Sequence, residues 1–210
     1  MKVLAIGNSF SSDATRYLHE ISEEKGTPVK VVNLYISGCT LATHYKNMNN
    51  DDKVYSLEFN GHSTGFYVSI RESLQSDTWD YVTMQQVSHL SVDHNTYLPY
   101  LQTLSEYVKF HAPNAKQAFH RTWAYEDGSC KLHEHGYKSH SEMLKDIKSS
   151  SEKVCLEVGI DYIIPAGELI EKMASEGVTS IYRDTYHLSP AGRRAVAELW
   201  YEYLTGADKQ

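Results

Sequence analysis

The sequence predicts an α/β protein, a three-layer α/β/α sandwich around a central, mostly parallel five-stranded sheet. Short apolar or β-branched runs of strand length alternate with longer segments of helical spacing from the first residue onward. Strands that alternate with helices in this way form parallel sheets with helices on both faces. The 210 residues show no repeat and no linker, so we predict a single domain over residues 1–210.

Five runs are predicted as the strands of this sheet. Each is short and apolar, as expected for strands buried on both faces, and each is followed by a break or a polar segment. They span residues 2–7, 29–35, 79–85, 116–123 and 161–164.

Apolar residues at helical spacing, with capping residues at the ends, predict the helices between these strands. The expected ranges are about 11–25, 68–75, 97–111, 141–158, 168–175 and 190–204, the first of them capped by Ser11-Ser12-Asp13. Residues 40–65 are expected to be irregular, with a turn or hairpin at Phe59-Asn60-Gly61-His62, and residues 124–139 to form a loop.

The composition narrows the classes of function. A formal charge of −7 repels polyphosphate, so we expect no nucleic-acid partner. There is no run of about 18 apolar residues, which predicts no membrane span. The N-terminal apolar run is too short for a signal peptide, so a cytoplasmic location is expected, although a trimmed secreted form would look the same. The sequence does not indicate an oligomeric state.

Neither a metal nor another cofactor is expected. His133, Glu134, His135 and His140 fall in a predicted loop without the spacing of a zinc site, and solvated histidines explain them. The three cysteines of the chain show neither a metal spacing nor a disulfide framework.

Ser9 is the candidate nucleophile. Ligands of parallel α/β sheets bind at the carboxyl ends of the strands, and Ser9 follows the first strand in Gly7-Asn8-Ser9-Phe10-Ser11. The helix that begins there offers free N–H groups and a positive dipole end. Taken alone, this segment also fits a helix N-cap or a phosphate-binding turn.

Asp184 and His187 form the second candidate element, just before the last helix. Their spacing of three residues allows one turn to bring the carboxylate to the imidazole. Such a contact fixes the ring tautomer and stabilises the imidazolium that forms when histidine accepts a proton. Taken alone, the pair also fits a surface aspartate and a histidine that caps the helix.

Together the two segments resemble the SGNH (GDSL-like) hydrolase family, which carries its nucleophilic serine after the first strand and a D-x-x-H block before the last helix. The resemblance spans nearly the whole chain, with Gly-Asn-Ser where many members have Gly-Asp-Ser. Three further segments are similar to a bacterial branch of that family, namely Gly-Cys-Thr-Leu from residue 38, Gln-Gln-Val-Ser from residue 85 and Thr-Trp-Ala-Tyr from residue 122. The resemblance implies a flavodoxin-like sheet and a triad of Ser9, His187 and Asp184.

The resemblance also implies an oxyanion hole formed by the backbone N–H groups of Ser9 and Gly38 and by a third donor. The family places an asparagine there, in a Gly-x-Asn block after the third strand, but this chain reads Met84-Gln85-Gln86-Val87-Ser88-His89. Loss of an oxyanion donor costs roughly 3 to 4 kcal/mol of transition-state stabilisation, so a substitute is expected. We predict the Gln86 amide in this role, with Ser88 as the second choice and His89 as a further possibility.

Four residues are predicted to contact the substrate. Trp123 and Tyr125 follow the fourth strand, where aromatic rings can stack on a sugar, although loop packing also explains them. His44 and Arg121 are expected to line the pocket. Arg121 can pair either with an acidic group of the substrate or with a nearby carboxylate of the protein.

The predicted function is that of a serine esterase that removes short acyl groups, with acetyl as the leading candidate, from a carbohydrate or another small hydroxylated substrate. The altered third block leaves open a non-catalytic ligand-binding module on the same fold. A phosphate-binding flavodoxin-like protein ranks last, because it has no use for the Asp184–His187 pair.

Overall fold

The computed structural model describes residues 1–206, so the last four residues of the predicted domain lie outside the description. Seven strands form one sheet within these residues. In chain order they are β1 (Lys2–Gly7), β2 (Lys30–Tyr35), β3 (Tyr55–Phe59), β4 (His62–Val68), β5 (Tyr81–Met84), β6 (Lys116–Arg121) and β7 (Tyr162–Pro165).

The five predicted strands correspond to β1, β2, β5, β6 and β7, and all of them pair in parallel. Across the sheet the order is β4-β3-β2-β1-β5-β6-β7. The chain moves outward from β1 in both directions, so the strand order reverses between β1 and β5. Ligands of such sheets bind near this switch point. The predicted α/β/α class is confirmed, whereas the predicted number of five strands is wrong.

The two additional strands form an antiparallel hairpin that extends the sheet beyond β2. The hairpin predicted at residues 59–62 is confirmed, since Asn60 and Gly61 have φ values of 49° and 81°, as a two-residue hairpin turn requires. A Cβ at Gly61 would lie 2.1 Å from the Arg16 carbonyl oxygen, so only glycine fits. The strands themselves were missed because most of their side chains are partly or fully exposed and show no apolar alternation.

The helices cover both faces of the sheet. They are α1 (Ser9–Thr15), α2 (Leu18–Glu24), α3 (Leu41–Asn50), α4 (Ile70–Gln75), α5 (Ser88–Ser91), α6 (Tyr100–His111), α7 (Cys130–Glu134), α8 (His140–Val158), α9 (Ala166–Ser175) and α10 (Pro190–Gly206), with a 3₁₀ turn at His94–Thr96. One predicted helix over about 11–25 is in fact the pair α1 and α2. Short α7 lies within the predicted loop at 124–139.

Helix α3 contradicts the prediction that residues 40–65 are irregular. Thr40 caps it by accepting a hydrogen bond from the Thr43 N–H. Its buried face combines Leu41 with the polar His44 and Asn47, so the segment lacks the apolar periodicity that marks a helix in the sequence.

Two apolar clusters lie on opposite sides of the sheet. One lies under α1, α2 and α10 and includes Phe10, Trp123 and Trp200. The other lies under α3, α4 and α6 and includes Tyr55 and Tyr97. Over residues 1–206, no helix is both long enough and apolar enough to cross a membrane.

Candidate active site

Ser9 is the first residue of α1, directly after the turn that leaves β1. Asn8 caps this helix, because its side-chain oxygen accepts the Phe10 N–H at 3.0 Å. Ser9 is therefore not the N-cap, and the capping role expected for Ser11 to Asp13 is also wrong. The Ser9 hydroxyl is left available for another partner.

That partner is His187, which lies 178 residues later in the chain. The His187 Nε2 atom is 2.9 Å from the Ser9 Oγ. The Nδ1 atom is 2.8 Å from the Asp184 Oδ2, and the His187 backbone N–H donates to the Asp184 Oδ1, also at 2.8 Å. The three side chains thus form one hydrogen-bonded series in the order serine, histidine, aspartate.

Two opposing effects act on the Asp184 carboxyl. Partial burial raises its pKa, but the hydrogen bonds from the His187 ring and backbone outweigh burial and hold the pKa of Asp184 below its usual value. The carboxylate is therefore ionised at neutral pH. In that state it accepts the Nδ1 proton and leaves the Nε2 lone pair directed at Ser9.

Asp13 connects the helix of Ser9 to the loop of His187. This carboxylate is only 1% exposed and accepts hydrogen bonds from Arg183 at 2.9 Å, Arg193 at 2.7 Å and the Leu188 backbone N–H at 2.7 Å. Sequence reasoning assigned Asp13 only a possible capping role and gave the two arginines none. A buried carboxylate with two cationic partners is visible only after the two ends of the chain meet.

The Gly38 turn lies beside the Ser9 turn. Gly38 adopts a φ of 61°, a left-handed conformation that favours glycine. The Asn8 side chain donates to the Cys39 carbonyl at 3.0 Å, which ties the two turns together. Neither the Ser9 nor the Gly38 backbone N–H donates a hydrogen bond to another group within residues 1–206.

The prediction of Gln86 as the third oxyanion donor is contradicted by its hydrogen bonds. Its amide nitrogen donates to the Thr96 carbonyl at 3.0 Å, and its amide oxygen accepts the N–H groups of Leu41 at 3.1 Å and Val87 at 3.0 Å. The side chain is buried, and a buried amide must satisfy its own polar atoms. Gln86 instead joins the start of α3 to the end of β5.

Ser88, the second choice, is also engaged. Its hydroxyl is fully buried and donates to the Trp123 carbonyl at 2.9 Å. The neighbouring Gln85 donates to the Asn8 side chain at 2.6 Å. Gln85 and Gln86 thus brace the turns after β1 and β2, and Ser88 is bound to the Trp123 carbonyl. The His89 ring, the further possibility, stacks on His135.

The predicted substrate contacts of Trp123 and His44 are wrong, because neither residue has any exposed surface. The Trp123 indole packs on Phe10, with ring centroids 4.4 Å apart, and donates to the Tyr186 carbonyl at 2.7 Å. His44 stacks on Tyr55, and burial lowers the pKa of His44 to about 3.

Arg121 and Tyr125 are each only 4% exposed. Arg121 pairs with Glu168 and Glu152. Of its two predicted partners, it therefore has a carboxylate of the protein and not an acidic group of the substrate. Tyr125 packs on Tyr186, with ring centroids 5.8 Å apart. Both side chains are therefore held by contacts within the protein.

The histidines of the segment at 124–140 do not come together. His135 stacks on His89, whereas the His140 ring lies 3.2 Å from both the Tyr125 carbonyl and the Tyr182 hydroxyl. Among the residues that the structure describes, no group of three metal-binding side chains is assembled.

Comparisons with known proteins agree with this architecture. A family model described as a domain of unknown function, DUF4886, matches residues 2–210. A DUF4886 family protein from Bacteroides uniformis, solved as a crystal structure, is 33% identical with a TM-score of 0.90, over 98% of this chain and 83% of that one. No curated protein sequence matches the chain.

Two more distant solved structures are similar in fold. A candidate SGNH hydrolase from Slackia heliotrinireducens is 24% identical with a TM-score of 0.71, over 97% of this chain and 98% of that one. An acetyl xylan esterase is 15% identical with a TM-score of 0.64, over 96% of this chain and 98% of that one. The chain belongs to the DUF4886 family, and its fold is that of the SGNH hydrolases.

Proposed function

We propose that this protein is a serine esterase with Ser9 as its nucleophile. One observation carries the proposal, namely the hydrogen-bonded series in which the Ser9 Oγ lies 2.9 Å from the His187 Nε2 and the His187 Nδ1 lies 2.8 Å from Asp184. A nucleophile within hydrogen-bond reach of a base that a third group orients is the arrangement used for acyl transfer.

In the proposed mechanism His187 takes the Ser9 proton as Oγ attacks the ester carbonyl. Asp184 stabilises the imidazolium that forms and keeps the ring in the required tautomer. His187 then protonates the leaving alcohol, which breaks the ester bond and leaves an acyl group on Ser9. Water, deprotonated by His187, hydrolyses this acyl-enzyme and releases the acid.

The proposed oxyanion hole uses two backbone donors, the N–H groups of Ser9 and Gly38. Both lack a hydrogen-bond partner within residues 1–206, and the Ser9 N–H belongs to the first turn of α1, where the helix dipole favours negative charge. The side chains of Gln86 and Ser88 are not part of this proposal, because each is already hydrogen-bonded elsewhere.

The proposed substrates are short acyl esters, acetyl esters first, of carbohydrates or other small hydroxylated molecules. This part of the proposal is supported by the fold shared with an acetyl xylan esterase. The chemistry uses only groups of the protein, so the proposed reaction includes no cofactor.

The test is covalent labelling of the whole protein with a fluorophosphonate, together with turnover of 4-nitrophenyl acetate. We expect one label on Ser9, identified by mass spectrometry. Ser9→Ala is expected to abolish the label and to lower kcat by about 10⁴-fold or more.

Ser12→Ala is the matched control, since Ser12 lies on the same helix and its hydroxyl binds Glu58 at 2.9 Å. This variant should label and turn over like the unchanged protein. If the folded protein shows neither a Ser9 adduct nor turnover of any acetyl ester offered, the proposed function is wrong.

A non-catalytic ligand-binding module is the second candidate. It is favoured by one observation, the absence of a free side-chain donor at Gln86 and Ser88 among the described residues. Such a module would bind its ligand as tightly in the Ser9→Ala variant as in the unchanged protein, and it would form no acyl-enzyme. The labelling experiment separates the two candidates directly.

A further inference from the structure

A group of basic and aromatic side chains lies next to His187 and is not used by the proposed chemistry. We call it the Lys131 cluster and define it as His89, Tyr125, Lys131, His135 and Tyr186. The Tyr186 ring lies 4.0 Å from the His187 ring, measured between centroids. The Lys131 Nζ lies 3.6 Å from the Tyr186 centroid, so Tyr186 contacts both this cation and the proposed base, His187.

The cluster brings together three loops at the carboxyl edge of the sheet. The His89 and His135 rings stack with centroids 5.1 Å apart, and His135 is 5.7 Å from Tyr125. Tyr125 in turn contacts Tyr186, 5.8 Å away. The segments after β5 and β6 and the loop of His187 therefore share one wall beside the catalytic residues.

Lys131 has no anionic partner within residues 1–206. Its contacts are the faces of Tyr186 and Tyr125, where a cation is attracted by the ring quadrupole. Burial, His135 and Lys131 together lower the pKa of His89, which keeps that histidine neutral at pH 7. Lys131 is thus the fixed positive charge of the cluster.

Acidic residues of the same segment do not neutralise Lys131. Asp127 accepts the His140 backbone N–H, and the exposed Glu126 and Glu134 form no ion pair with Lys131. In a chain of formal charge −7, an ammonium held on two rings without a carboxylate is available to an anionic ligand.

The position of the cluster indicates which part of an ester it would contact. His187 must protonate the leaving alcohol, so groups packed around His187 face the alcohol portion of the substrate. The acyl carbonyl oxygen, by contrast, must reach the proposed oxyanion donors, the N–H groups of Ser9 and Gly38.

We propose that the Lys131 cluster is a specificity site for an anionic group, a carboxylate or a phosphate, on the alcohol portion of the substrate. This inference rests on the proposed esterase function and adds to it a substrate class, acylated acids. Lys131 supplies the charge, and the aromatic rings of Tyr125 and Tyr186 hold the lysine side chain in place.

The test compares 4-acetoxybenzoate, which carries a carboxylate on its alcohol portion, with its neutral methyl ester. The readout is the ratio of kcat/KM for the acid to kcat/KM for the methyl ester. We expect Lys131→Met to lower this ratio about tenfold, the size of one charge-assisted contact. Lys131→Arg, which keeps the charge, should retain most of the preference for the acid over the methyl ester.

Lys138→Met is the matched control, because Lys138 is an exposed lysine of the same segment outside the cluster. It should leave the ratio unchanged. A ratio that Lys131→Met does not lower overturns the proposal. If Lys131→Met instead lowers the preference for mono-4-nitrophenyl succinate over 4-nitrophenyl acetate, the anion lies on the acyl side and the placement is wrong.

A binding measurement keeps this inference distinct from the esterase proposal. In the Ser9→Ala background, calorimetry with 4-acetoxybenzoate should show saturable binding that Lys131→Met weakens about tenfold. Absence of that binding, or equal binding by both variants, overturns the anionic site. Failure of fluorophosphonate labelling in the unchanged protein overturns only the catalytic role.

Discussion

The two sides of the candidate site are built differently. On the side proposed to hold the oxyanion, called the oxyanion side, the buried amides of Asn8, Gln85 and Gln86 tie together the turns after β1 and β2. Each amide makes at least one hydrogen bond between elements. On the base side, the His187 loop is held by charges at Asp13, and its residues Arg183 and Asp184 are exposed.

In the proposed reaction, this difference separates the step that all esters share from the part in which substrates differ. An oxyanion forms at the same position whatever the ester, so its donors gain from a rigid, preorganised frame. The alcohol portion varies among substrates, and a partly exposed wall of rings with one cation can select it. Substitutions at Asp13 and Gln86 test whether the two sides are independent, and one at His120 tests the core beneath the base side.

The largest effect is expected from Asp13→Asn, which weakens the link between the two sides. Removal of the buried charge leaves Arg183 and Arg193 without their counter-ion and should lower the free energy of unfolding by about 3 kcal/mol. The His187 loop would shift relative to Ser9, and kcat should fall about 100-fold. Urea denaturation and turnover of 4-nitrophenyl acetate measure the two effects.

Arg193 and Arg194 offer a matched pair of controls for this prediction. Arg193→Ala removes one of the partners of Asp13 and should act in the same direction as Asp13→Asn, with a smaller effect. Within residues 1–206, the ion pairs of Arg194 are with glutamates that are largely exposed, so Arg194→Ala should cost less than about 1 kcal/mol. Equal effects of the two arginine variants would contradict the linking role of Asp13.

A smaller effect is expected from Gln86→Leu on the oxyanion side. Leucine leaves the Leu41 and Val87 N–H groups without their acceptor, which should lower the free energy of unfolding by about 2 kcal/mol. The loss of kcat should stay below about tenfold, whereas loss of a true oxyanion donor costs about 10²- to 10³-fold. A loss of that larger size, with unchanged stability, would restore Gln86 to the oxyanion hole.

The smallest effect at neutral pH concerns the core beneath the base side, where His120 is buried against Trp123 and Trp200. Burial lowers the pKa of His120 to about 3. On acidification, His120 therefore takes up a proton in the unfolded chain before it does so in the folded protein. Between about pH 6.5 and pH 3, the free energy of unfolding falls as the pH falls, by up to about 1.4 kcal/mol per pH unit.

His120→Phe should remove the contribution of this one proton to the slope of unfolding free energy against pH below pH 6.5. The slope above pH 7 should be unchanged. Urea denaturation at a series of pH values measures it. The exposed His133, replaced by Asn, is the control, and a similar change of slope in that variant would contradict the assignment to His120.

The parallel part of the sheet was predictable from the sequence because strands buried on both faces read as apolar runs. The hairpin strands β3 and β4 and helix α3 were not, because their exposed or polar-lined faces break the patterns on which such predictions depend. The site likewise has a part that the sequence predicts and a part that it does not. The contact between Asp184 and His187 spans three residues and is local, so its geometry follows from one turn.

The amino-acid sequence alone predicts the fold class, the candidate nucleophile and the aspartate–histidine pair, since each depends on local patterns of side chains along the chain. Only the folded chain decides that Ser9 and His187 meet, that Gln86 and Ser88 are already hydrogen-bonded, and that Trp123 and His44 are buried. The physical reason is that a polar or aromatic side chain after a strand can turn either toward the ligand or into the core. Long-range packing and the need to satisfy buried polar atoms choose between the two.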